Sequence, residues 1–220
     1  APIRASLAAW LDRPAPDEPD PPKPLLPSQP TGSEPATLSP LAAAGRDRFK
    51  RGLLVHRLLQ TLPELPPGER AAAARRFLAL PVHGLGMAER DDICRETMAV
   101  IEAPEFAPLW GPDAQAEVPV VGLIGGSRET ARPGPARALS GQIDRIVVTE
   151  DRVLIVDYKT VRPPPQREDE VAPIYLQQLA SYRAALERIY PGRPVECAIL
   201  WTEGPRLMPI SPALLARHLP

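Results

Sequence analysis

The sequence predicts an α/β protein, and three observations carry that expectation. Two apolar runs, Ile143–Val148 and Val153–Val156, are joined by the polar Thr149-Glu150-Asp151-Arg152, the pattern of paired strands with a turn between them. Helix-period apolar spacing brackets this hairpin, over residues 42–62 before it and 174–190 after it. A short run that reads as a buried strand, Val195–Trp201, follows the second helix.

Composition narrows the class. At 220 residues the chain holds one domain of ordinary size plus a tail. With 26 basic and 27 acidic residues there is no global positive field, so any contact with a polyanion must be local. Two cysteines, Cys94 and Cys197, are too few for a disulfide framework or a four-cysteine metal site and fit a reducing compartment. No apolar run approaches a membrane span and no secretory pattern opens the chain. A soluble, cytoplasmic protein is expected.

Eleven of the 31 prolines fall within residues 1–40, in runs such as DRPAPDEPDPPKPLLP, which excludes helix or sheet interior there. The stretch reads as a semi-rigid linker with a short helix at Ile3–Leu11, a tether over residues 1–44 leading into a domain over 45–220. A chain that opens this way, without methionine, reads as part of something larger.

The helix over residues 42–62 carries Phe49, Leu53, Leu54, Leu58 and Leu62 as its apolar stripe, and Pro63 ends it. His56 lies near that stripe, and Gly52, one turn earlier, leaves room for a close neighbour. Arg46, Arg48, Lys50, Arg51 and Arg57 crowd the same helix; gripping phosphates and forming a solvated face both fit. Two scaffold helices follow, over 66–80 and 85–101, with an exposed His83 between them. Phe106–Asp113 reads as a loop with aromatic anchors, and Glu117 stands directly before an apolar strand. Residues 125–138 form a long loop carrying Arg128, Arg132 and Arg137, either touching a ligand or simply mobile. GxxxxGK[ST] is absent, so GLIGGS is no nucleotide-phosphate loop and this chain has no ATP motor of its own.

The hairpin then places Asp144, Asp157 and Lys159 in otherwise apolar strands. A buried carboxylate is costly unless neutralised, and a hard divalent cation neutralises two at once. Asp157 and Lys159, two apart, share one face of a strand. Only Lys23, Lys50 and Lys159 are lysines among the basic residues, and ammonium is not interchangeable with guanidinium. A surface ion pair on an edge strand is the plainer reading of the same spacing. Beyond a stiff polar loop at 162–173, the helix over 174–190 carries Leu179, Tyr182, Leu186 and Ile189 on its apolar stripe. Gln178 and Tyr182, four apart, stack on one face. Residues 207–219 read as a short tail with an exposed His218.

The Asp144…Asp157-x-Lys159 arrangement resembles the PD-(D/E)XK nucleases, and GQIDRI followed by IVDYKT resembles their RecB-type branch. GLLVHRLL is similar to the first RecB-type motif, and Gln178-x-x-x-Tyr182 to its last. The order of these elements over roughly residues 45–205 implies a restriction-endonuclease-like core: a mixed central sheet flanked by helices, with an N-terminal helical extension. The resemblance further implies Asp144, Asp157, Lys159 and Glu117 as catalytic residues, with His56, Asp144, Asp157 and the Tyr158 backbone carbonyl as metal ligands. Gln178, Tyr182, Arg51 and Arg57 would bind or orient DNA.

The implied cofactor is Mg²⁺, with Mn²⁺ as its substitute in vitro, and no iron–sulfur cluster, since two cysteines cannot supply four. The proline-rich lead and the ending YPGRPVECAILWTEGPRLMPI resemble the C-terminal nuclease domains of AddA-type helicase–nuclease subunits of double-strand-break repair. That implies single-stranded DNA ends fed by a separate ATP-driven motor, an AddB-like partner subunit and no membrane. A nuclease-like module that binds DNA or a partner without cutting is the alternative; a glycosidase acid/base pair would leave Lys159 and Gln178 without a task.

Overall fold

A computed structural model of the chain describes Pro27, residues 43–124 and residues 137–219, with side chains in the first helix from residue 49 onward. The expected tether with its Ile3–Leu11 helix, the side chains of Arg46 and Arg48, and most of the 125–138 loop, including Arg128 and Arg132, lie outside the described residues. Arg137 and Ala138 belong to a strand rather than to that loop.

Helices α1 (Ala43–Thr61), α2 (Pro67–Leu78) and α3 (Met87–Glu102) come first. Next is β1 (Ala114–Ile124), then β2 (Arg137–Val148) and β3 (Val153–Lys159). Helix α4 (Pro173–Ile189) leads into β4 (Val195–Trp201), β5 (Arg206–Ile210) and the short α5 (Pro212–Ala216). The sheet order is β1-β2-β3-β4-β5, parallel between β3 and β4 and antiparallel elsewhere. The parallel pair needs a crossover, and α4 supplies it.

Both faces of the sheet are covered. Helices α1, α2 and α3 close one core around Val147, Val156, Tyr158 and Leu200. Helix α4 closes the other around Val153, Ile155, Cys197, Ile199 and Trp201. Because alternate residues of β3 and β4 enter opposite cores, both strands are nearly continuous apolar runs, which made them legible.

Several expectations fail for identifiable reasons. The buried stripe of α1 is Leu54, Val55, Leu58 and Leu59, continued by Leu62 in the 3₁₀ turn that follows, while Phe49 and Leu53 are 71 % and 58 % exposed. Ile189 points out of α4 in the same way. Residues 104–110 form a 3₁₀ helix whose Phe106 and Leu109 are buried, rather than an open loop. The expected tail is β5 and α5. Pro209 obscured β5, but this strand is hydrogen-bonded to β4 alone and an edge strand tolerates proline, with Met208 and Ile210 filling the α4-side core. His83 is half-buried against Phe77, ring centroids 4.6 Å apart, and His218 is half-buried as well.

Helix α4 is tied to β2 through Tyr182. Its hydroxyl donates to the Gln142 carbonyl at 2.8 Å and accepts from the Gln142 amide at 3.1 Å. The tip of the ring lies against Gly141, where an added Cβ would sit 2.7 Å from both Cε1 and the hydroxyl oxygen of Tyr182. Tyr182 is fully buried and bonded at its tip, so it cannot yield. Gly141→Ala should therefore destabilise the fold by about 1–3 kcal/mol in urea unfolding, whereas Gly122→Ala, with nothing near its Cβ, should change stability by well under that.

Candidate metal and phosphate site

The site forms where the sheet comes apart. The β2–β3 ladder runs from Val148–Val153 to Arg145–Val156 and stops, so Asp144 and Asp157 face the gap beyond the last pair. On the other side of β2, the β1 ladder pairs Ala116 with Arg145 and Val118 with Ile143 but skips Glu117 and Asp144. Glu117 has φ of 53°, alone among the described non-glycine residues in the left-handed region. Such a conformation costs a β-carbon-bearing residue roughly 1–2 kcal/mol. Glu117 thus lies within β1 rather than before it, at a local break that turns its side chain toward Asp144.

Asp144 is held from two directions. Its Oδ2 accepts the Tyr158 amide at 2.7 Å, taking a donor that the interrupted ladder leaves free on that side. Its Oδ1 lies 3.3 Å from His56 Nδ1, and His56 Nε2 donates to the Tyr158 carbonyl at 3.1 Å. Helix α1 can bring His56 this close because Gly52, one turn earlier, lies against Thr160, 3.3 Å from where a Cβ would be. Ligand atoms of His56, Glu117 and Asp144 all fall within 4.8 Å of one another. Two carboxylates and an imidazole in that space are a donor set for a divalent cation.

Asp157 and Lys159 form the second half of the site. Lys159 Nζ contacts Asp157 Oδ2 at 2.6 Å as an ion pair, donates to Gln178 Oε1 at 3.2 Å, and sits 4.5 Å over the Tyr175 ring. Asp157 stands across the strand gap from Asp144 and is not one of the three-donor group; its carboxylate faces Lys159 instead.

The charges explain one another. Burial pushes the Glu117 carboxyl up, and the neighbouring Asp144 charge pushes it further. Burial also raises Asp157, against the pull of Lys159. For Asp144 burial is outweighed by His56 and by the Tyr158 amide, and its carboxyl is held below the usual range. Lys159 resists its burial because Asp157 and Asp144 favour the ammonium, so it remains protonated. His56 is likewise raised, since Asp144 overcomes the desolvation of the imidazolium.

The remaining expected residues are placed as follows. Gln178 is buried and faces Lys159, and Tyr182 anchors β2 from within the core. Arg51 contacts Asp92 at 2.8 Å and also Glu96. Arg57 is exposed and bonds Gln60 at 2.6 Å. Sequence reasoning missed Tyr175, although it stands three residues before Gln178 on the same helical face. It also missed the buried Glu96 of α3, which ties Arg51, Arg162 and Thr202 together beneath the end of β3. Nothing in the sequence joins those four residues; only the fold does.

A family model for the PD-(D/E)XK nuclease superfamily matches residues 36–208. The chain belongs to that superfamily. A solved structure described as "Crystal structure of SSO0001" matches with 16 % identity over 74 % of this chain and 71 % of that one, at a TM-score of 0.32, which adds nothing to the family assignment. No curated protein matches the sequence significantly.

The His56–Asp144 pair gives the metal-free protein a pH signature. His56, raised on folding, stabilises fully below its ordinary value of 6.5 and loses that contribution as pH climbs through the raised value. Asp144, lowered on folding, contributes above 3.8 and loses it as pH falls through the lowered value. The stability gap between the parent chain and His56→Gln, measured by urea unfolding in chelator, should therefore be larger at pH 5.5 than at pH 8.5.

Proposed function

We propose that this chain is a metal-dependent deoxyribonuclease that hydrolyses phosphodiester bonds at the gap between β2 and β3. One observation carries the reading: a three-donor cluster of His56, Glu117 and Asp144 opens beside a buried lysine held by Asp157 and Gln178. Hard oxygen donors with one imidazole suit Mg²⁺, with Mn²⁺ as a substitute, and Asp157 and the Tyr158 carbonyl border the same space. When bound, the cation would polarise the phosphate and lower the pKa of a coordinated water.

The protein's own groups do the rest. Glu117 and Asp144 bring negative charge that favours cation binding, and the Tyr158 amide fixes one Asp144 oxygen so that the other faces the site. Lys159 stays an ammonium, so its task is donation: it orients the attacking water or meets the charge that develops on the phosphoryl oxygens. Asp157 and Gln178 hold it in place, and Tyr175 covers it from one side. To hold the cation His56 would serve as a neutral imidazole, without the extra proton that its pairing with Asp144 favours.

At a finer level, we read the chain as the nuclease domain of an AddA-type helicase–nuclease, a cytoplasmic subunit working beside an AddB-like partner on the ends of double-strand breaks. The order of the five motifs and the proline-rich lead support this reading. Among the described residues no helix is long and apolar enough to cross a membrane, which is compatible with it.

End-labelled DNA should be degraded by the chain in Mg²⁺ and left intact in chelator. Asp157→Ala should abolish cutting, and Lys159→Ala should slow it by about a hundredfold or more, with circular dichroism unchanged. Binding of DNA without any metal-stimulated cleavage would identify a silent module instead.

A further inference from the structure

Helix α1 carries two large apolar side chains on the wrong side. Phe49 and Leu53 have the spacing of a core stripe, yet the core takes Leu54, Val55, Leu58, Leu59 and Leu62 and leaves these two in solvent. At 3.6 residues per turn, Phe49, Leu53 and His56 fall within an arc of roughly 60°, and Phe49 lies about 10 Å along the axis from His56. The exposed pair therefore extends the same helix face that presents the imidazole to the metal cluster. Beside it stand Lys50 and the exposed Arg57, while Arg51 is engaged by Asp92 and Glu96 of α3.

An apolar, partly aromatic strip with cations along one flank, continuous with a phosphate-cleaving site, matches one chemistry. A single DNA strand is anionic along its backbone and offers flat apolar faces from its bases. A duplex hides those faces within its own stack, so an aromatic ring on a helix surface gains little from it. A protein partner would fit the apolar strip but has no need of cations along its flank.

Resting on the nuclease reading above, we propose that Phe49 and Leu53 form a stacking platform for the bases next to the cleaved bond, with Lys50 and Arg57 following the backbone, so that the site selects single-stranded DNA. The platform gives α1 a second task. It sets the strand's direction across the gap, because the phosphate must reach His56 and Asp144 while the adjoining bases lie back along the helix.

The test uses the 220-residue chain in chelator, so that binding is read without cleavage, with fluorescein-labelled oligodeoxythymidine and a hairpin duplex as probes. Phe49→Ala should weaken single-strand binding by about tenfold, the size of one base–aromatic stack. Phe49→Trp should restore it, and neither should move duplex binding. An oligonucleotide with an abasic position at the platform should bind the parent and Phe49→Ala alike. Equal binding of the intact single strand by the parent and Phe49→Ala, while the parent still cleaves in Mg²⁺, would overturn the platform and leave the nuclease reading standing. A loss of self-association in Phe49→Ala with unchanged DNA binding would overturn it in favour of a protein contact. A parent chain that neither binds nor cuts DNA would remove both.

Discussion

Beyond the Arg145–Val156 pair the two central strands separate, and the Tyr158 amide is left to be satisfied by Asp144 at 2.7 Å. Most of the site depends on that substitution of a side chain for a ladder partner. It orients the Asp144 carboxylate, places the Tyr158 carbonyl in reach of His56, and leaves Asp157 paired with Ile199 of β4 but without a partner on β2. The break also opens in the direction of β1, where Glu117 takes a left-handed backbone. A strained residue persists when its surroundings over-determine it, and here the strain brings a second carboxylate to the cluster.

Crowding carboxylates raises their cost, and the fold distributes the compensation unevenly. Asp144 has a histidine and a backbone donor and Asp157 has a lysine in direct contact; Glu117 shares the Asp144 histidine at longer range, and burial and the Asp144 charge push its carboxyl up. A cation between Glu117 and Asp144 would remove that imbalance. The lysine is steadied by an anion, an amide oxygen and an aromatic face at once, which fixes the direction in which it can donate. Behind it, Glu96 joins α1, α3 and the segment after β3, and Thr202 returns a backbone bond to the Lys159 carbonyl at 3.1 Å. The two halves of the site are thus braced against each other through a buried carboxylate that never faces the gap.

The parts of this arrangement that were legible in the sequence are those that follow from local period. Strands β3 and β4 are buried on both faces and read as apolar runs; α4 declares its stripe except at Ile189. Aspartates within such strands stand out because their burial needs an explanation. What was hidden depends on which of several apolar faces wins the core. Phe49 and Leu53 satisfy the helical period as well as Val55 and Leu59 do, and only the position of the sheet decides between them. The break at Glu117 left no mark because a positive φ is usually signalled by glycine or asparagine, and a glutamate there gives no warning. Strand β5 was concealed by Pro209, which its edge position tolerates.

Whether His56, Glu117 and Asp144 together hold one divalent cation is tested, without reference to any substrate, by titrating the metal-free chain with Mn²⁺ and following the loss of free-ion electron paramagnetic resonance signal. Saturable binding should fall by at least tenfold in Asp144→Asn, while Asp92→Asn, which changes an acid outside the cluster, should leave it unchanged. Equal Mn²⁺ binding by the parent and Asp144→Asn would contradict a shared cation.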